Sequence, residues 1–133
     1  MYKTRGFLDK NYIFAIIGVS TNPDKWEWKI YEKLKSEGFN VYPINPKHKK
    51  INNDICYVNL SSLSKKPDVV ITVVPPNITE KTVRECKDIG IHKVWMQPGS
   101  ESEKAINFCK DNNIKTVINS CFVVDNLNKN FKD

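Results

Sequence analysis

The chain has 133 residues, a length that fits one domain and allows about two thirds of its unfolded surface to be buried. With 40% hydrophobic and 27% charged residues it has an ordinary globular composition, and no apolar run approaches the roughly 20 residues of a membrane helix. The net charge of +6 comes from lysines scattered through every segment, with one local cluster at Lys47-His48-Lys49-Lys50, so a solvated surface is expected and not a nucleic-acid face.

The opening residues, Met1-Tyr2-Lys3-Thr4-Arg5-Gly6, lack the apolar core of a secretory leader, and the expectation is a cytoplasmic protein. Ile13-Phe14-Ala15-Ile16-Ile17 is continuously apolar, as a strand buried on both faces must be. Lys25 to Glu37 follows as a helix, with Ile30, Tyr31 and Leu34 on one face and Gly38 at its end. Val41-Tyr42-Pro43-Ile44 is a second strand interrupted by proline, and Ile55-Cys56-Tyr57-Val58 is a short edge strand. Val69 to Val74 is the strongest strand pattern in the chain. Asn77-Ile78-Thr79-Glu80 has the form of a capping box opening a helix that turns Ile78, Val83, Cys86 and Ile89 inward and closes at Gly90. Val94-Trp95-Met96 is a strand, Ser100-Glu101-Ser102-Glu103 repeats the capping chemistry before a helix bearing Ala105, Ile106 and Cys109, and Thr116-Val117-Ile118 is the last strand. The tail from Asn126 is polar and expected to fray.

Strands alternating with helices specify an α/β fold: one Rossmann-like, doubly wound domain over the whole chain, its core from about residue 12 to 125, with helices on both faces of a mainly parallel sheet. Right-handed crossovers give the strand order 3-2-1-4-5-6. Ligands of such sheets bind at the carboxyl ends of the strands, where the winding reverses between the first and fourth. Function is therefore sought in the strand-to-helix loops.

Gly18-Val19-Ser20-Thr21-Asn22-Pro23-Asp24-Lys25 combines a glycine at a strand end, hydroxyl donors, a helix N-terminus and a cation, the ingredients of an anion site. It lacks the second and third glycines of the dinucleotide fingerprint, and a structural turn explains it equally well. The next loop, Asn45-Pro46-Lys47-His48-Lys49-Lys50, is more telling. An NAD domain carries a carboxylate at this strand end to hold the ribose 2′-hydroxyl. Here stands Asn followed by lysines, which suits a ribose bearing a phosphate and points to coenzyme A or NADP in preference to NAD. Val74-Pro75-Pro76-Asn77 offers rigid apolar walls, Met96-Gln97-Pro98-Gly99-Ser100 an amide before a helix, and Asn119-Ser120-Cys121 a thiol where the last strand meets the site.

The four cysteines form no C-x-x-C pair, so neither a disulfide framework nor a zinc site is expected, and Cys86 and Cys109 read as small core residues. His48 and His92 have no evident carboxylate or nucleophile partner, and Cys121 has no visible base to activate it. Packing is its other role, or a mixed disulfide with a cofactor thiol.

Phe14-Ala15-Ile16-Ile17-Gly18-Val19-Ser20, Val41-Tyr42-Pro43-Ile44-Asn45-Pro46-Lys47, Val94-Trp95-Met96-Gln97 and the late Cys121, four motifs in order, resemble the small single-domain CoA-binding proteins, themselves similar to the N-terminal CoA-binding domain of the succinyl-CoA synthetase alpha subunit. The resemblance runs from about Tyr12 to Asp125. It implies that Gly18, Val19, Ser20 and Lys25 hold phosphates, and that Asn45, Pro46 and Lys47 surround the adenosine 3′-phosphate. Pro75 and Pro76 would border the cofactor, Trp95, Met96 and Gln97 would line its arm, and Cys121 would sit beside them. Two features depart from the family. Trp26-Glu27-Trp28 is bulky where small or polar residues are usual, and Asp125 stands where Glu is common, without the Arg that often follows.

The expectation is thus a module binding coenzyme A or an acyl-CoA, with no metal and no catalysis of its own, its partners being the nucleotide cofactor and a second copy or a ligase subunit. The alternatives are an NADP-dependent oxidoreductase and an interaction protein with a vestigial pocket.

Overall fold

The computed structural model describes residues 4–122 and 125. Strands β1 (Ile13–Ile17), β2 (Asn40–Ile44), β5 (Val69–Thr72), β6 (Lys93–Met96) and β7 (Lys115–Val117) form a parallel sheet in the order β2-β1-β5-β6-β7. A two-stranded antiparallel hairpin, β3 (Lys50–Ile51) with β4 (Asp54–Ile55), lies outside it. The helices are α1 (Trp26–Ser36), α2 (Pro76–Ile89) and α3 (Glu103–Asp111). The α/β doubly wound architecture expected from the alternation of elements is therefore the one observed.

The expected edge strand at Ile55–Val58 differs. Only Tyr57 pairs with the sheet, as a single parallel bridge to Ile44, and the order 3-2-1-4-5-6 loses its first member as a full strand. Asn52 takes a left-handed φ of 55°, which turns residues 50–55 back on themselves as the hairpin before they can run along β2. Pro43 fits inside β2 for a related reason. Its carbonyl accepts the Tyr57 N–H at 2.9 Å, so the backbone polar groups of this residue face the outer edge, and the missing N–H removes nothing from the ladder to β1.

Strand alternation divides the core in two. Phe14 and Ile16 of β1 belong to a cluster with Ile30, Tyr31 and Leu34 of α1, whereas Ala15 and Ile17 join one with Val83 and Cys86 of α2 and Ala105 and Cys109 of α3. The α1 face is completed by the chain ends. Phe7 meets Trp95 edge-on at 5.8 Å, and Phe122 lies 4.6 Å from Trp95 and 5.7 Å from Phe14. Such aromatic pairs add about 0.5–1.5 kcal/mol each beyond the area they bury.

Two helix starts move relative to expectation. The box at Asn77–Glu80 does not form, because α2 begins at Pro76 with Pro75 as N-cap and no side-chain cap. Proline is pre-set for this first helical position and has no N–H to leave unsatisfied there. For α3 the cap is Ser102, whose Oγ accepts the Ala105 N–H at 3.0 Å. Ser100 is instead buried, its hydroxyl bonded to the Gln97 carbonyl at 2.8 Å. The tail from Asn126 lies outside the described residues.

Candidate functional site

At the end of β1 the backbone turns through Gly18 with φ +96°. A Cβ there would stand 2.4 Å from Val74 Cγ1 and 2.8 Å from the Val73 carbonyl oxygen, so the ends of β1 and β5 approach as closely as glycine allows. The following loop is built by side chains. Ser20 Oγ accepts the Asn22 N–H at 3.0 Å and Asn22 Oδ1 accepts the Asp24 N–H at 2.9 Å. Helix α1 then starts after Lys25 without a side-chain cap, its first turn bearing Glu27.

The second loop is held by Asn45. Its Nδ2 donates to the Val19 carbonyl at 3.0 Å, its Oδ1 accepts the Lys47 N–H at 2.9 Å, and its own N–H reaches the Tyr57 carbonyl at 2.8 Å. The amide side chain thereby ties the loop after β2 to the loop after β1. Lys47 is left at the rim, exposed, and its ammonium has no hydrogen-bond or ion-pair partner among the described residues.

Between these loops lies a cavity of about 350 Å³. Gly18, Asn45, Pro46 and Lys47 form one side, Val73, Val74 and Pro75 the other, with Glu27 and Ile78 contributed by the starts of α1 and α2. A second hollow of about 240 Å³ shares Val73, Val74 and Pro75 and extends to Pro98, Gly99 and Ser100. Together they run across the carboxyl ends of β1, β5 and β6, the crevice where the strand order reverses. The size and the apolar walls suit a small organic ligand.

The fourth and fifth loops lock onto each other. Gln97 is buried, its Oε1 accepting the Phe122 N–H at 2.7 Å and its Nε2 donating to Cys121 Sγ at 3.3 Å. The Cys121 N–H is held by Asp125 Oδ2 at 2.6 Å. The Trp95 indole donates to the Ser120 carbonyl at 2.8 Å.

A model of the CoA binding domain matches residues 13–126. The chain belongs to the CoA binding domain family. It is 31% identical over 103 residues to an ADP-forming acetate–CoA ligase of Methanocaldococcus jannaschii, an alignment that takes in 77% of this chain and 14% of the ligase. The chain thus spans about a seventh of that relative's length. Among solved structures, a conserved hypothetical protein of Pyrococcus furiosus is 34% identical with a TM-score of 0.81, over 85% of this chain and 97% of that one. The dinucleotide-forming acetyl-coenzyme A synthetase 1 of Ca. Korarchaeum cryptofilum shares the fold, with 24% identity, a TM-score of 0.70, and coverage of 86% of this chain and 27% of that one. The family expected from the four sequence motifs is the one found.

Within this CoA binding domain the residues singled out from sequence separate into groups. Gly18, Asn45, Pro46, Lys47 and Pro75 line the main cavity. Ser20 and Lys25 lie on the adjoining loop and Pro76 is exposed at the start of α2. Val19, Trp95 and Met96 are fully buried, Trp95 in the cluster under α1 and Met96 in the one under α2 and α3, and Gln97 and Cys121 pair beside them. Val74 lines it too, as the apolar wall expected of its loop, whereas sequence reasoning passed over Glu27, Val73 and Ile78 as lining residues. Glu27 had a usable signal, since the first turn after a phosphate-type loop faces the ligand crevice.

Away from the crevice, Asp54 accepts hydrogen bonds from the Lys35 ammonium and, at 2.5 Å, from the Tyr31 hydroxyl. The Lys35 contact foremost, then Tyr31, holds the Asp54 carboxyl below the usual range, while burial and the bonded carboxylate push the Tyr31 phenol well above its ordinary value. These groups fix the β3–β4 hairpin to α1. No cluster of metal-ligating side chains occurs among the described residues, and none of their helices is long and apolar enough to cross a membrane.

Proposed function

We propose that the chain binds coenzyme A or an acyl-CoA as a binding module, holding the cofactor for chemistry carried out by another protein or domain. The observation that carries this reading is the uncommitted Lys47 ammonium on the rim of an otherwise largely apolar cavity at the switch point of the sheet. Lys47 meets the 3′-phosphate of the adenosine, with Pro46 and Gly18 beside it, and the free N–H groups at the start of α1 face the diphosphate near Ser20 and Lys25. The pantetheine arm runs from Pro75 over Val73 and Val74 toward Gly99. Val19, Trp95, Met96, Gln97 and Cys121 serve the site from beneath, by fixing the strand ends and loops that form its walls.

Gly18 supports the fit, because only a residue without Cβ lets the backbone come this close to the β5 end and leaves room above it for a phosphate. The reading as a binding module draws on where the candidate reactive side chains lie. Cys121 Sγ faces an amide, which is neither acid nor base, His92 precedes β6 at the opposite end of the strand from Gln97, and His48 sits in the loop after β2.

Thermal unfolding tests the proposal. Coenzyme A at about 100 times its dissociation constant stabilises by about 2.7 kcal/mol, and dephospho-CoA at the same concentration shifts the midpoint much less. Equal shifts from the two ligands overturn the role of Lys47. A larger shift from NADPH than from coenzyme A favours an oxidoreductase, and no shift from any nucleotide favours an interaction protein.

A further inference from the structure

Two polar side chains on the main cavity remain uncommitted, and they carry opposite charge. Asn45 spends both ends of its amide inside the loops. Lys47 has no partner, and neither oxygen of Glu27 takes part in a hydrogen bond or ion pair among the described residues, nor do the two pair with each other. The remaining walls, such as Ile44, Pro46, Val74 and Ile78, offer no charge. A carboxylate in the first turn of a helix is favourable for the helix alone. A carboxylate that also closes a cavity built to take an anion is costly to that anion, unless the ligand presents a hydrogen-bond donor to it.

The ribose of coenzyme A offers such a pair: a 3′-phosphate and, on the next carbon, a free 2′-hydroxyl. We propose that Glu27 is the specificity-determining residue of this site, accepting the 2′-hydroxyl of a 3′-phosphorylated ribose and excluding ligands phosphorylated at the 2′ position. The inference rests on the coenzyme A reading above. Lys47 supplies the attraction for a ribose phosphate at either position, and Glu27 decides between them, because a 2′-phosphate would be brought against the carboxylate and like charges at close range are strongly disfavoured.

The test compares adenosine 3′,5′-bisphosphate with adenosine 2′,5′-bisphosphate, measured by calorimetry on the wild-type chain and on Glu27→Gln and Lys47→Ala. The glutamine keeps the size of the side chain and its reach, and a wild-type-like melting midpoint confirms that α1 is intact. The wild type is expected to prefer the 3′ isomer, and Glu27→Gln to narrow that preference by at least about tenfold, chiefly by tightening the 2′ isomer. Lys47→Ala is expected to weaken both isomers together. A wild type that binds the two isomers equally overturns the role of Glu27, as does a preference unchanged in Glu27→Gln. If the wild type binds neither isomer, the coenzyme A reading itself fails and this inference falls with it. A carboxylate that only stabilises the helix would alter the melting midpoint and leave the isomer ratio where it was.

Discussion

Gly18 and Gly99 share a φ of +96°, yet their surroundings differ, and alanine at each separates backbone strain from steric conflict. An L-residue in this left-handed region costs about 1–2 kcal/mol. At Gly99 nothing lies within 4 Å of the added Cβ, so that cost is the whole effect. At Gly18 the methyl meets Val74 Cγ1 at 2.4 Å, which a side-chain rotation can relieve, and the Val73 carbonyl oxygen at 2.8 Å, which it cannot. Val73 is anchored by its N–H to the Ile17 carbonyl at 3.1 Å, so relief requires the ends of β1 and β5 to move apart. Overpacking of this kind adds about 1–3 kcal/mol. Gly18→Ala should therefore lose about 2–5 kcal/mol, against about 1–2 for Gly99→Ala. At about 4 °C per kcal/mol for a chain of this size, these are drops of about 8–20 °C and 4–8 °C. Gly6→Ala, with no neighbour within 4 Å and no left-handed φ, is the control and should stay within about 0.5 kcal/mol of wild type. Urea denaturation gives the free energies directly. Equal losses at Gly18 and Gly99 would refute the claim that close approach of the two strand ends shapes the cavity.

Three further outcomes are expected. Asp54, whose carboxyl is held below its ordinary value, contributes stability that is present above the unfolded value of about 3.9 and is lost as pH falls through the folded one; the stability gap between wild type and Asp54→Asn, from denaturation at several pH values, should close below about pH 4, and a constant gap would count against the pairing with Lys35 and Tyr31. Gln97→Leu removes the acceptor of the buried Phe122 N–H and should cost about 1–3 kcal/mol, with faster proteolysis after residue 118 as the local readout; unchanged proteolysis would show that residues 119–122 are held in place without this bond. Burial pushes the Cys109 thiol up to about 12 and the Cys86 thiol higher still, so both should resist alkylation at neutral pH until the protein unfolds; mass-mapped labelling of either in the native state would contradict their placement between the sheet and helices α2 and α3.

The fold was legible because its main elements repeat a simple rule: apolar β-branched runs such as Val69–Thr72, bounded by glycine or proline and followed by a 3.6-residue stripe. Elements set by competition between local pairings were not. The segment after Ile51 has enough β-character for an edge strand, but Asn52 in the left-handed region turns it into a hairpin, and only Tyr57 reaches β2. The start of α2 misled in the same way, since Asn77 has the side chain of a cap while the prolines before it are already shaped for the first turn.

The crevice itself was half legible, and a geometric reason separates the halves. Residues just beyond a strand are freed from the pleat, so Gly18, Asn45 and Pro75, named from their place in the loops, meet at one cavity. Residues still within a strand alternate sides, so neighbours such as Trp95 and Met96 are sent to opposite faces of the sheet, and both are fully buried. The same logic explains why the polar partners divide as they do. An asparagine amide can donate and accept at once, which a loop junction needs, and Asn45 is used for that. Lysine only donates and glutamate only accepts, so neither can bridge the junction, and Lys47 and Glu27 are left facing the cavity with their charge unspent. In the proposed reading, selectivity is set by the charges that loop building leaves over, and the narrow question of which ribose oxygen carries the phosphate becomes a property of one carboxylate on the first turn of α1.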